Sequence, residues 1–124
     1  MEPDSRPLVG VVGPCASGKS TLVYRLRTFG INARHIAQEH SYVPAMWQKI
    51  TNPDVLIYLY VSYPLTISRN QLNWTIAEYE EQLFRLRHAR QNASLQIDTD
   101  LLTPEEVSKK VLTFLKTQQH IFER

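Results

Sequence analysis

The chain has 124 residues, of which 43% are hydrophobic, a net charge of +2 and one cysteine. This is the make-up of a single domain, residues 1–124, with enough apolar content to bury a core; it excludes intrinsic disorder and an internal disulfide, and it argues against a polynucleotide-binding face. No apolar run approaches a membrane span, the polar opening Met1-Glu2-Pro3-Asp4-Ser5-Arg6-Pro7 lacks a signal-peptide pattern, and the unpaired thiol suits a reducing cytoplasm, so a cytoplasmic protein is expected.

Leu8-Val9-Gly10-Val11-Val12 is a short apolar run of the kind found in buried parallel strands. It leads directly into Gly13-Pro14-Cys15-Ala16-Ser17-Gly18-Lys19-Ser20, which satisfies G-x-x-x-x-G-K-[ST], the Walker A phosphate-binding loop, with Thr21 as a second hydroxyl. Each part has a physical task. Gly13 and Gly18 let successive backbone N–H groups curl around a phosphate. Lys19 adds a cation for the β- and γ-phosphates, and the Ser20 hydroxyl is a ligand for the Mg²⁺ that bridges them. Cys15 needs only its backbone for this purpose. Leu22, Val23, Leu26 and Phe29 then recur at helical spacing, Gly30 is placed to end the helix, and the helix points its positive N-terminal end at the anion.

Asn32-Ala33-Arg34-His35-Ile36-Ala37 reads as a short second strand, and a polar loop follows at Gln38-Glu39-His40-Ser41-Tyr42. Pro44 opens a helix of about two turns, which Asn52-Pro53-Asp54 stops. Val55-Leu56-Ile57-Tyr58-Leu59-Tyr60-Val61 is apolar without alternation, as in a central strand covered on both faces. A helix starts at Ser62-Tyr63-Pro64. The capping box Thr75-Ile76-Ala77-Glu78 starts another, expected to run to about Gln91 with Ile76, Tyr79, Leu83, Leu86 and Arg90 along one side. Leu95-Gln96-Ile97-Asp98 is a last strand. Thr103-Pro104-Glu105-Glu106 is a second capping box, opening a helix that turns Val107, Val111, Phe114 and Leu115 inward.

This order predicts a P-loop three-layer α/β/α sandwich whose short parallel sheet has about four strands in the order 2-1-3-4, with nucleotide over the strands' C-terminal ends. A nucleotide site also needs an acid and matched positive charge. The central strand offers no carboxylate at its C-terminal end. Glu39, just past the second strand, is therefore the candidate for Mg²⁺ ligation or general base. His35 and His40 are weaker candidates, and two histidines five apart beside one glutamate make a poor zinc motif. Arg85, Arg87 and Arg90, with His88, gather late in one helix, where they either meet phosphate or complement the helix dipole. Tyr42, Met46, Trp47 and Gln48 are acceptor-side candidates whose alternative is plain core packing.

The phosphate loop, the strand from Asp54 to Leu59, Arg69, Arg87-His88-Ala89-Arg90, and the stretch from Asp98 to Val107 together resemble a small P-loop kinase of the nucleoside, nucleotide, shikimate and gluconate kinase group. The resemblance implies ATP, with GTP as the alternative nucleotide, Mg²⁺, and a lid carried by Arg69, Arg85, Arg87 and Arg90. The turn around Thr99 to Leu101 would lie near the adenine. The resemblance departs in two places: the connection between the second and central strands is short, and the acidic pair that such kinases use is missing. The leading expectation is phosphotransfer from ATP to a small-molecule acceptor, with Lys19, Glu39, Arg87 and Arg90 catalytic, residues 13–21 and Arg69 binding nucleotide, and Ser20 and Glu39 on the metal. The alternative is a nucleotide-binding or slowly hydrolysing module that acts through a protein partner. A homodimer would be one way to supply the missing acceptor wall.

Overall fold

The computed structural model describes residues 6–118; the expectation for the opening segment falls largely on residues 1–5, outside them. Four strands, β1 (Val9–Val12), β2 (Ala33–His35), β3 (Val55–Tyr60) and β4 (Leu95–Asp98), form one parallel sheet in the order β2-β1-β3-β4. Val9 is in register with Ala33 on one side and Val55 on the other, and Tyr58 with Gln96. Parallel neighbours require crossovers, which the helices supply: α1 (Lys19–Thr28), α2 (Tyr63–Asn70), α3 (Ile76–Arg85), α4 (Arg87–Gln91) and α5 (Pro104–Thr117). The strand order expected from the chain's alternation of elements is the one formed.

Each face of the sheet carries its own core. On one, Val9, Val11, Ile57 and Leu59 pack with Leu22, Val23 and Leu26 of α1 and Val107, Val111 and Leu115 of α5. On the other, Val12, Leu56 and Tyr58 pack with Ile36, Trp47, Leu86 and Ala89. β3 is buried along Val55–Leu59, as a strand covered on both sides must be. Both capping boxes form: the Thr75 hydroxyl accepts from Glu78 N–H, and the Thr103 hydroxyl from Glu106 N–H. α1 ends at Thr28, before Gly30, and Phe29 is left exposed rather than continuing the apolar face.

Two expected helices come out differently, and one side chain takes part in both changes. Instead of two α-helical turns after Pro44, there is a single wide π-helical turn, Trp47–Thr51, closed by Asn52 N–H donating to Trp47 O at 3.0 Å. The amide of Gln38 is wedged into the place of an ordinary helix bond. Trp47 N–H donates to Gln38 Oε1 (2.9 Å), while Gln38 Nε2 donates to Val43 O (2.9 Å). The expected helix from Thr75 to Gln91 is broken at Leu86 into α3 and α4. Gln38 Nε2 reaches this break too, donating to Arg85 O at 3.2 Å. Ile76 is exposed and Gln82 buried, so the inward side of α3 is more polar than its pattern suggested.

Candidate functional site

The segment from Gly13 to Gly18 joins β1 to α1 at the C-terminal end of the sheet. Its glycines are demanded by geometry. A Cβ at Gly13 would lie 2.5 Å from Leu59 O and 2.6 Å from Ser17 Oγ, and Gly18 has φ +95°, the left-handed region that side chains disfavour. Ala16 also adopts positive φ, at 70°, so the loop holds one residue in a sparsely populated conformation. Gln82 on α3 clamps the loop from across the fold: Cys15 N–H donates to its Oε1 (2.9 Å) and its Nε2 donates to Cys15 Sγ (3.2 Å).

Lys19, the first residue of α1, is buried. Its Nζ donates to Gly13 O (2.7 Å) and Pro14 O (3.1 Å) and pairs with Glu39 Oε2 at 2.9 Å. Glu39 comes from a 3₁₀ turn, Gln38–His40, directly after the edge strand β2. It is only 4% exposed, and its Oε1 has no hydrogen-bond partner among the described residues. Ser17 Oγ is likewise buried and without a partner among them. A buried ion pair with an orphaned carboxylate oxygen contributes little to stability, since desolvating the charges offsets their attraction. Such a group is a candidate for function rather than architecture.

Beside the loop lies a cavity of about 460 Å³. Residues 16–22 of the loop and α1 form one wall, and Arg69, Asn70, Thr99 and Leu102 form much of the other. Arg69 ties α2 to the turn after β4. Its Nη1 donates to Thr99 Oγ1 (3.0 Å), and its Nη2 donates to the carbonyls of Thr99 and, at 3.2 Å, Asp100. Thr99 is held in turn by Tyr60 O, which accepts its N–H (2.9 Å) and hydroxyl (2.8 Å). Asp100 Oδ1 accepts from Ser62 N–H at 2.9 Å.

The structure gathers Lys19 and the loop on one side of the cavity and Arg69 with Thr99 on the other, while Glu39 pairs with Lys19 without lining the cavity. Ser20 and Thr21 line the cavity. Arg87 and Arg90 do not. Arg87 donates to Phe84 O (2.8 Å) and stacks on the Phe84 ring, while Arg90 lies 5.8 Å from the ring of Tyr58. Burial pushes the Tyr58 phenol up, and the Arg90 charge partly offsets this. Arg85 is nearer the site, with Nη1 3.4 Å from Glu39 O and its guanidinium over the Tyr42 ring. Trp47 is buried and donates to His88 Nδ1 at 3.0 Å, so it belongs to the core. His35 is exposed on β2.

Sequence reasoning missed Gln38 and Gln82. Two glutamines carry no motif, and no local pattern distinguishes a buried amide from a surface one. It also gave the Cys15 side chain no role, although its sulfur lies beside Glu39 and His40.

No protein-family profile and no curated protein matches the chain. Among solved structures, the YorR protein of Bacillus subtilis, crystallised in complex with phosphorylated GDP, is similar in fold. The TM-score is 0.62 at 12% identity, over 91% of this chain and 98% of that one. The architecture is thus a layered α/β fold on a four-stranded parallel sheet, with its candidate site at the C-terminal ends of the strands. Among the described residues no helix is long and apolar enough to cross a membrane.

Proposed function

We propose that the chain binds ATP in the cavity beside residues 13–21 and transfers its γ-phosphoryl group to a hydroxyl of a small acceptor. The observation that carries this reading is the buried Lys19–Glu39 pair at the mouth of the loop, with one carboxylate oxygen committed to the lysine and the other unengaged. The nucleoside fits the side formed by Arg69, Asn70, Thr99 and Leu102, and the phosphates fit the loop. Similarity in fold to a protein crystallised with phosphorylated GDP supports a nucleotide and keeps GTP as the second choice.

In the transfer, the acceptor oxygen bonds to the γ-phosphorus as the bond from phosphorus to the bridging oxygen breaks, and ADP leaves with that oxygen. Glu39 Oε1 takes the acceptor's proton. Lys19 exchanges its loop carbonyls for phosphate oxygens, and Arg69 is the arginine on the nucleotide side. The Ser20 hydroxyl suits a hard cation, and Mg²⁺ held there would neutralise charge on the phosphates; Glu39 serves as base in place of the metal role also open to it.

A second reading, a nucleotide-binding module that acts through a protein partner, is favoured by one observation. Glu39 is the carboxylate that meets Lys19, and no second acid joins them among the described residues. One assay separates the two: γ-labelled ATP with Mg²⁺ against a pooled set of metabolites. Label on a metabolite, lost in Glu39→Gln while ATP still binds, is the expected result. ATP binding without transfer would leave the second reading. Unchanged ATP affinity in a folded Lys19→Ala protein would sink both.

A further inference from the structure

The sequence pairs Glu39 with His35 and His40, a spacing that suits no metal. The fold replaces His35 with a different ligand, from the loop after β1: Cys15 Sγ, a carboxylate oxygen of Glu39 and a ring nitrogen of His40 all lie within 4.8 Å of one another. The structure assigns to these three side chains a binding site for a thiophilic divalent cation of the Zn²⁺ class at the outer edge of the phosphate loop.

The donor set is chemically selective. Thiolate, imidazole and carboxylate are the three ligand types of zinc, and three protein ligands with one open position make an accessible site rather than a closed structural one. Sulfur and imidazole together favour Zn²⁺ over Mg²⁺, which takes hard oxygens. The independent sign of a ligand is Glu39, whose Oε1 is buried and unpartnered among the described residues. Its Oε2 is occupied by Lys19, so the free oxygen is the one a second cation would take.

The remaining geometry fits. Donor atoms around a tetrahedral zinc lie about 3.5 Å apart, given bonds of 2.0–2.3 Å. Glu39 is fixed by burial. The His40 side chain is 61% exposed, with Nε2 3.8 Å from Oε2, the Glu39 oxygen that Lys19 holds, so the exposed ring must rotate past it to meet a cation on Oε1. Cys15 Sγ is oriented by the Gln82 amide, which donates to it and would continue to support the thiolate that a metal produces. An ion here engages Glu39 Oε1, the oxygen given a role in phosphotransfer above, so the cation and that role exclude one another. Binding of the cation itself requires no nucleotide.

The test uses the full chain, nucleotide-free and stripped with chelator, with Co²⁺ as the optical probe and Zn²⁺ measured by competition with a chromogenic chelator. One equivalent of Co²⁺ should give a thiolate-to-metal charge-transfer band that Zn²⁺ abolishes. Cys15 is the chain's one cysteine, so that band reports this site alone. Cys15→Ser should remove the band, and both it and His40→Ala should weaken Zn²⁺ by about 10-fold or more. His40 is on the surface, which keeps that variant folded. No thiolate band, or Zn²⁺ affinity unchanged in either variant, would overturn the assignment. ATP affinity measured on the same metal-free protein separates the outcomes: its loss with Zn²⁺ binding retained counts against the nucleotide reading alone.

Discussion

The two faces of the sheet are built on different principles. The face under α1 and α5 is a continuous apolar core, covered by two regular α-helices, of which α5 is opened by its capping box. The opposite face, covered by the segments between Ile36 and Ala89, has a 3₁₀ turn, a π turn and a broken helix, held together by the buried amide of Gln38. The first supports the loop from Gly13 to Gly18. The second delivers Glu39 to it. Regular packing makes a stable platform, whereas placing one carboxylate beside a buried lysine requires side-chain bonds that override local helix preference.

If that division is right, substitutions on the two faces should fail in different ways. Leu26 is fully buried in the first core, and Leu26→Ala should cost about 3 kcal/mol in denaturant unfolding while leaving nucleotide affinity of the folded protein intact. Gln38→Leu should cost about 2 kcal/mol, because Trp47 N–H loses its acceptor and the Val43 and Arg85 carbonyls lose a donor. It should also disturb the Lys19–Glu39 pair, so metal affinity and any phosphotransfer should fall together. A Gln38→Leu protein with unaltered affinities would erase the distinction between the faces.

Smaller effects sharpen it. Thr103→Ala removes a cap from α5 and should cost about 1 kcal/mol, readable as a lowered Tm with no change at the site. Its partner Glu106 gives the pH counterpart. Hydrogen bonds from the Thr103 backbone and hydroxyl hold its carboxyl below the usual range. The folded state therefore binds this proton less readily than the unfolded chain. The stabilisation is complete above the ordinary glutamate value and is lost as pH falls through the lowered one. Glu106→Gln should flatten that acid limb slightly in pH-dependent melts.

Much of the platform was legible in advance. The phosphate-loop pattern, both capping boxes, the uninterrupted apolar run of β3 and the strand order all follow from local bonding, side-chain periodicity and the handedness of crossovers. Ile76 and Phe29 mark the limit of periodicity: each matched an apolar stripe, yet each sits at a helix terminus where the stripe has left the core.

What the sequence alone determined about this protein is the loop, its flanking strand and helix, and the layered sheet, because those depend on residues a few positions apart. Only the tertiary structure decided that Glu39 would meet Lys19, that Gln38 would interrupt two helices, and that Cys15 would face Glu39 and His40. Those pairings join side chains from separate elements. The distance and burial that give them chemical meaning arise only when β2 is laid against β1 and α3 closes over the turn that follows it.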